Sequence, residues 1–377
     1  MSAIQTAVTN PESKEAQRYY SASQWQLVWW RFKKHKVALF GGIVLIFLMI
    51  NGIFAEFIGP YDPATRNIAY LLGPPQLPRL WDENGFSLRP FVHGVSSERD
   101  PVTLAMVSTI DPNIRNYIYF FVPGDPYSML GGLVKSDIHL FGVDDGFVHF
   151  FGTDELGRDL YTRLLVGTRT SLSIGIIGVL ISFFLALFIG GVAGYAGGWL
   201  DYIIQRFTEI IRVIPIIPLY MGLAAAFPRD WSSQQVYFAM TLIIGLVGWP
   251  TLARRIRGQL LTLRDEDYVM AARLSGANPY RIIFLHMLPA FMSYIVVDLV
   301  ISFPYVILAE TALSFVGLGL RPPSISWGVL LQDAQNIRAI EQAPWLFIPA
   351  AAVVIAVLSF TILGDGVRDA ADPYSVH

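Results

Sequence analysis

No cysteine occurs among the 377 residues, which excludes disulfides, thiolate nucleophiles and thiolate metal sites. Charge is scarce as well: Asp, Glu, Lys and Arg together make up 15%, against about 25% in soluble globular chains. Lysine is rarer still. None of Lys14, Lys33, Lys34, Lys36 and Lys135 follows a glycine, so the chain has no P-loop to wrap a nucleotide phosphate. It also has no GxSxG, no HExxH and no nucleophile–base pairing that stands out. With a formal net charge of −2 and no long basic run, nothing points to nucleic acid.

What is abundant is apolar. Hydrophobic residues are 54% of the chain, with 32 Gly and 23 Pro, a mixture that membrane helices tolerate because neighbouring helices accept kinks and close approach. Val37–Ile58 runs apolar for about 22 residues, or roughly 33 Å as helix, enough to cross a bilayer. A cleaved signal has an apolar region of only about 7–15 residues, so this stretch reads as an uncleaved span. The basic run Arg31–Lys36 before it stays in the cytoplasm by the positive-inside rule. Further apolar segments are Ser171–Tyr195, Ile203–Phe227, Val236–Ala253, Ala290–Leu313 and Leu346–Leu363. Six spans return the C-terminus to the cytoplasm. The reading is an all-α polytopic membrane protein with six transmembrane helices and an extracytoplasmic insert containing some β structure.

Arg254, Arg255, Arg257, Arg264, Arg273 and Arg281 crowd the connection between the fourth and fifth spans, which places it in the cytoplasm too. That connection is patterned. Asp265, Glu266 and Asp267 suit a helix N-terminus, a short helix follows through Tyr268, Ala271, Ala272 and Leu274, and Gly276 can end it. Asn278 then offers an N-cap and Pro279 a first-turn residue for a second helix. Small side chains at Ala271, Ala272, Gly276 and Ala277 let another surface come close. An ordinary amphipathic loop explains the same pattern.

Between the first two spans lies a polar insert of roughly 110 residues, long enough for a small core. The runs HLFGV and GFVHFFG around Asp144-Asp145-Gly146 predict a β-hairpin. Trp81, Phe86, Phe91, Tyr117, Tyr119, Phe120 and Phe121 either fill its core or stack on ligand rings. His139, His149, Asp137, Asp144 and Asp145 read as surface groups beside a turn, since they lack metal-ligand spacing.

Ionisable residues within spans are costly. Asp298 and Glu310 fall inside the fifth span, where pore lining and structural pairing are equally good accounts. Arg206, Glu209 and Arg212 sit three residues apart near the start of the third span and read as an ion-pair ladder. Pro215 and Pro218 in the third span and Pro304 in the fifth should kink their helices. A gate uses such kinks, and packing alone explains them equally well.

The connection resembles the EAA loop of inner-membrane permease subunits of binding-protein-dependent ABC importers. Ala271-Ala272, Gly276 and Leu288-Pro289 fall in the matching places, while Met270 stands where that family carries glutamate. Three stretches narrow the resemblance to the C-type subunit of the dipeptide/oligopeptide/nickel group: FGTDELGRDLYTRLLVGTRTSL (Phe151–Leu172), SFVGLGLRPPSISWGVLLQDA (Ser314–Ala334) and LGDGVRDAADP (Leu363–Pro373). It covers Phe151 to Pro373 well and Gln24–Asp62 loosely.

The resemblance implies an ABC importer permease fold and a non-catalytic subunit of a bacterial inner-membrane machine, importing oligopeptides or a similar solute. A second, B-type permease would complete the pathway, two ATPase subunits would bind the ATP and Mg, and an extracytoplasmic solute-binding protein would deliver cargo. This chain itself would hold no cofactor and no metal. Asp267, Tyr268, Met270, Ala271, Ala272, Arg273, Gly276 and Ala277 would form the ATPase-coupling face. Asp298, Glu310, Pro215 and Pro304 are candidates for the pathway or its gating.

The implied organisation is a cytoplasmic segment at 1–36, a first transmembrane helix at 37–58 and an insert at 59–170. A five-helix core at 171–364 follows, with its coupling loop at 264–281, and then a cytoplasmic tail at 365–377. An oligosaccharide or glycoside cargo, and an ion-coupled secondary transporter using Asp298 or Glu310, are the competing readings. Internal repeats would favour the latter, and none stands out.

Overall fold

The computed structural model describes residues 22–83, 85–99, 106–228, 230–336 and 341–372. Parts of the predicted N-terminal segment and tail, residues 1–21 and 373–377, lie outside these. Helix α1 (Gln24–Lys34) opens with a capping box in which Ser23 and Gln26 bond each other's backbone. His35 ends it and caps α2 (Lys36–Ile53), its ring accepting the Ala38 N–H at 3.1 Å. A one-turn helix, α3 (Ala55–Ile58), leads into the insert.

The insert is a four-stranded antiparallel sheet in the order β1-β2-β3-β4: Arg79–Asp82, Gly85–Arg99, Met106–Met129 and Val134–Val143. Val92 pairs with Asn116 across β2 and β3, and Phe120 with Phe141 across β3 and β4. The predicted hairpin at Asp144–Gly146 does not form. β4 pairs back to β3, and residues 147–149 are irregular because side chains take their backbone donors. The Val148 N–H bonds the Tyr61 hydroxyl at 2.9 Å, and the His149 N–H bonds Gln76 Oε1 at 2.6 Å. The core expectation for the aromatics also needs correction. Phe91 is buried, but Trp81, Phe86, Phe120 and Phe121 face outward; the core beneath the sheet is Val92, Ile118, Phe141 and Val148, closed by Tyr61 and Tyr161.

Helix α4 (Leu160–Ala196) begins before the apolar run does, so residues 160–170, grouped with the insert by composition, are its first turns. Asp159 caps it, Oδ2 accepting the Thr162 N–H at 2.7 Å. α4 lies along α7 (Ser233–Leu263), and the contact is backbone-close: a Cβ at Gly190 would stand 2.5 Å from the Ala253 carbonyl oxygen, and one at Gly194 would stand 2.8 Å from Leu260 Cβ. These glycines form a small-xxx-small pair that lets membrane helices meet.

The third expected span is broken. α5 (Gly198–Val213) and α6 (Ile216–Ala225) meet at 86°, and the break falls at Ile214-Pro215. Pro215 lacks the N–H to continue a helix, and it forces Ile214 into extended geometry. Pro218 lies within the first turn of α6, where its missing N–H costs nothing. By contrast, α9 (Met292–Phe315) runs unbroken through Pro304.

The short helix α8 (Asp267–Leu274) links α7 to a second helical run, which starts at Pro279, passes through a π segment (Ile282–Met287) and a 3-10 turn, and becomes α9. α10 (Trp327–Asp333) returns on the sheet side, and α11 (Ile348–Ala371) closes the bundle against α2. Five of these runs are long and apolar enough to cross a membrane, and the bent α5–α6 pair makes a sixth if it is one span. Their outward rows, among them Val37, Phe40 and Phe47 of α2 and Phe184 and Phe188 of α4, are exposed and apolar, as lipid contact requires.

Candidate functional site

At the bundle end opposite the sheet, α8 stands out from the surface on one buried foot. Val269 is fully buried in a cluster with Ile256, Leu260, Ile282 and Met287, with Ala272 and Ala277 packed against it. Its neighbours turn away from that core: Tyr268, Met270, Ala271, Leu274 and Gly276 are exposed, Leu274 at 88%. The helix stops as the sequence indicates. Gly276 adopts φ 76°, its N–H bonds the Arg273 carbonyl, and the Ala277 N–H reaches back to Ala272 at 3.1 Å, a C-terminal closure that favours glycine. Asn278 accepts the Arg281 N–H at 2.8 Å and starts the next helix with Pro279 in its first turn. Arg273 does not project outward; its guanidinium lies 5.1 Å over the Tyr195 ring at the end of α4. Asp267 is exposed in the first turn of α8. The coupling candidates thus split into an outward set (Asp267, Tyr268, Met270, Ala271, Gly276) and a set that seats the helix (Ala272, Arg273, Ala277).

The intramembrane acids are tied to other helices. Asp298 of α9 accepts a hydrogen bond from Arg255 Nη1 of α7. Glu310 is fully buried, with Ser171 Oγ of α4 donating to it at 3.0 Å and Ser314 Oγ at 2.9 Å. The same Ser171 oxygen accepts the Trp327 N–H at 3.1 Å, and the Trp327 indole bonds Thr168 Oγ1 at 3.1 Å. One carboxylate therefore gathers α4, α9 and the start of α10. Arg206 pairs with Glu209 at 2.7 Å on the exposed face of α5.

Sequence reasoning did not find a further cluster at the sheet end. Arg163 is almost fully buried between Asp154, which it bonds directly, and Asp333 at 3.2 Å; Arg158 reaches Asp154 at 2.7 Å and Asp333 at 3.5 Å. Burial pushes the Asp333 carboxyl above the usual carboxylate range, and Arg163 pulls it back. The signal for half of it was the TDELGRD run. Asp154 accepts the Leu156 and Arg158 N–H groups, each at 2.9 Å, and so folds that run into a tight turn. Asp333, far along the chain, carried no such signal.

Of the insert groups expected at the surface, Asp137, Asp144 and Asp145 are exposed, but His139 and His149 are buried and held there by hydrogen bonds. His139 bridges the carbonyls of Gly59 and Asp125, and His149 pairs with Asp159 at 2.9 Å. Among the described residues no three His, Cys, Asp or Glu side chains are arranged to hold a metal ion.

Comparison with known proteins adds the family. A family model described as "Binding-protein-dependent transport system inner membrane component" matches residues 170–374, and one described as "N-terminal TM domain of oligopeptide transport permease C" matches residues 23–75. The Dipeptide transport system permease protein DppC of Bacillus subtilis (strain 168) is 39% identical over 227 residues, covering 60% of this chain and 68% of that protein. The Oligopeptide transport system permease protein OppC of the same organism is 27% identical over 371 residues, 98% of this chain and 96% of that one. The Glutathione transport system permease protein GsiD of Pectobacterium atrosepticum is 38% identical over 225 residues, 60% and 72% of the two chains. The 170–374 match takes in α8 and both intramembrane acids, and it extends over more than half of the chain, which belongs to the family of binding-protein-dependent transport system inner membrane components.

Proposed function

We propose that this chain forms one half of the translocation pathway of an ABC importer for oligopeptides, with a B-type permease as the other half. Two ATPase subunits, which bind the ATP and Mg, drive it, and an extracytoplasmic binding protein delivers the cargo. The relatives' names favour peptides over sugars: dipeptide, oligopeptide and glutathione. Both termini lie in the cytoplasm in this reading. Its support is that Arg264, Arg273 and Arg281 occur at the same bundle end as Arg31, Lys33, Lys34 and Lys36, away from the sheet.

The observation that carries the coupling role is α8 itself, an eight-residue helix anchored by Val269 and presenting Tyr268, Met270, Ala271, Leu274 and Gly276 to solvent. A helix that exposes so much apolar surface needs a partner. Met270 in the motif's glutamate position makes the contact one of shape and apolar area. ATP-driven closure of the ATPases pushes on this helix, and rigid-body motion carries the push into α7 and α9, between which α8 is seated. Asp298 and Glu310 act as fasteners that make those helices move together, and the Pro215 break supplies a hinge between α5 and α6.

Gly276 is a poor place to test docking with a bulky side chain, because φ 76° would strain any such residue. Ala271→Trp adds bulk on the exposed face of a regular helix. It should leave the chain in the membrane and lower transport and transport-coupled ATP hydrolysis at least tenfold, about 1.4 kcal/mol of lost docking. Gly276→Asn, which tolerates a left-handed backbone, should remain near wild type. Wild-type transport by Ala271→Trp would remove the docking assignment.

A further inference from the structure

Helix α1 has a surface that neither the pathway nor ATPase coupling requires. It is held at the bundle edge by Arg31 Nη1, which donates to the Asp372 carbonyl at 2.9 Å, and by its elbow residue His35, 3.7 Å from Asp369. Leu27, Val28, Trp30 and Phe32 are half-buried. On the outer side, Trp25 and Trp29 stand one turn apart, 51% and 52% exposed. One turn further on, Lys33 lays its ammonium 5.1 Å over the Trp29 ring, and Lys34 and Lys36 are exposed beside it.

Beyond the His35 elbow, α2 carries its own outward apolar row, Val37, Phe40, Ile43 and Phe47, which lipid covers in a spanning helix. Indoles prefer the level of the headgroups, and lysines extend their ammonium groups to the phosphates while their stems stay in the apolar boundary. Lysines in the last turn of α1 also suit its helix dipole, but that role accounts for neither exposed indole.

We propose that α1 lies in the plane of the cytoplasmic leaflet, with Trp25 and Trp29 immersed and Lys33, Lys34 and Lys36 binding anionic phospholipid headgroups. The leaflet assignment rests on the cytoplasmic N-terminus proposed above. Bound in this way, α1 fixes the depth of α2, and through Arg31 and Asp372 that of α11.

The absence of native cysteine makes the test direct. The full chain carrying Trp29→Cys, labelled with a nitroxide, is reconstituted in phosphatidylcholine vesicles or in equal parts phosphatidylcholine and phosphatidylglycerol. With phosphatidylglycerol the label should collide more with oxygen than with a water-soluble nickel chelate. That bias should shrink in phosphatidylcholine alone, and in K33Q/K34Q/K36Q in either mixture. Native mass spectrometry should show the preference for phosphatidylglycerol over phosphatidylcholine falling about fivefold per lysine removed. Trp25→Cys gives a second reporter should the first variant perturb the helix.

Three results would overturn the proposal: a label exposed mainly to nickel, a label shielded from both reagents, or a depth and lipid preference indifferent to lipid charge. Reaction of unlabelled Trp29→Cys with an impermeant maleimide, in vesicles of each orientation, reads the side separately. Reaction from the extracytoplasmic side would overturn the leaflet assignment.

Discussion

Ser171 Oγ donates to the Glu310 carboxylate at 3.0 Å and at the same time accepts the Trp327 N–H at 3.1 Å. This small hydroxyl therefore transmits the position of an acid in α9 to the first residue of α10. Glu310→Gln keeps the shape and one acceptor oxygen but sets an N–H donor against a serine that already donates, and should cost about 1 kcal/mol. Glu310→Ala leaves Ser171 and Ser314 with unmet polar groups beside a cavity, and should cost about 2–4 kcal/mol. Thermal unfolding of the purified chain distinguishes the two; equal losses would show that the site needs both acceptor oxygens.

The Arg255–Asp298 pair is lopsided, with the arginine side chain 46% exposed and the aspartate 8%. Removing the arginine strands a buried carboxylate, whereas removing the aspartate leaves a guanidinium that water can reach. Arg255→Ala should therefore destabilise by about 3–5 kcal/mol, Asp298→Asn by clearly less, and the double variant less than the sum. A double-mutant cycle by thermal unfolding measures this. Additive losses would mean that the pair is not coupled.

Glycine positions in α4 make a prediction with a built-in control. Gly190 and Gly194 face α7 with no room for a Cβ, while a Cβ at Gly191 would meet nothing within 4 Å. Gly190→Ala and Gly194→Ala should each destabilise the bundle by about 1–3 kcal/mol as overpacked contacts. Gly191→Ala should be neutral or slightly stabilising, since alanine is the better helix former. Unfolding in detergent, with the three variants compared side by side, checks the order.

What the sequence made legible is what local chemistry encodes. The spans follow from apolar length, and the ending of α8 from Gly276, Asn278 and Pro279, because each signal lies within a few residues of its effect. The Pro215 break is local as well, although the sequence did not state its size. The ties were not legible. Asp298 meets Arg255, Glu310 meets Ser171 and Arg163 meets Asp333 across long separations, and nothing in a single sequence marks one partner with the other's number. Arg255 even read as a topology signal alone. The hairpin at Asp144–Gly146 was misread for a related reason: Tyr61 and Gln76, distant in the chain, supply the bonds that a second strand would have given.

The π segment Ile282–Met287 forms part of the seat of α8, and the 3-10 turn Leu288–Phe291 separates it from α9. A π turn holds one residue more than an α turn, and the 3-10 turn that follows winds more tightly and ends at Phe291, whose φ of −123° and ψ of 18° lie outside helical geometry. α9, with Asp298 and Glu310, therefore restarts after this irregular run and does not inherit the phase of the helix that begins at Pro279. The orientation of both fasteners is in effect written by the length of that run. Deleting one residue there should shift the register of α9 and yield a chain that still inserts yet points Asp298 away from Arg255, a folded permease with its helices out of phase.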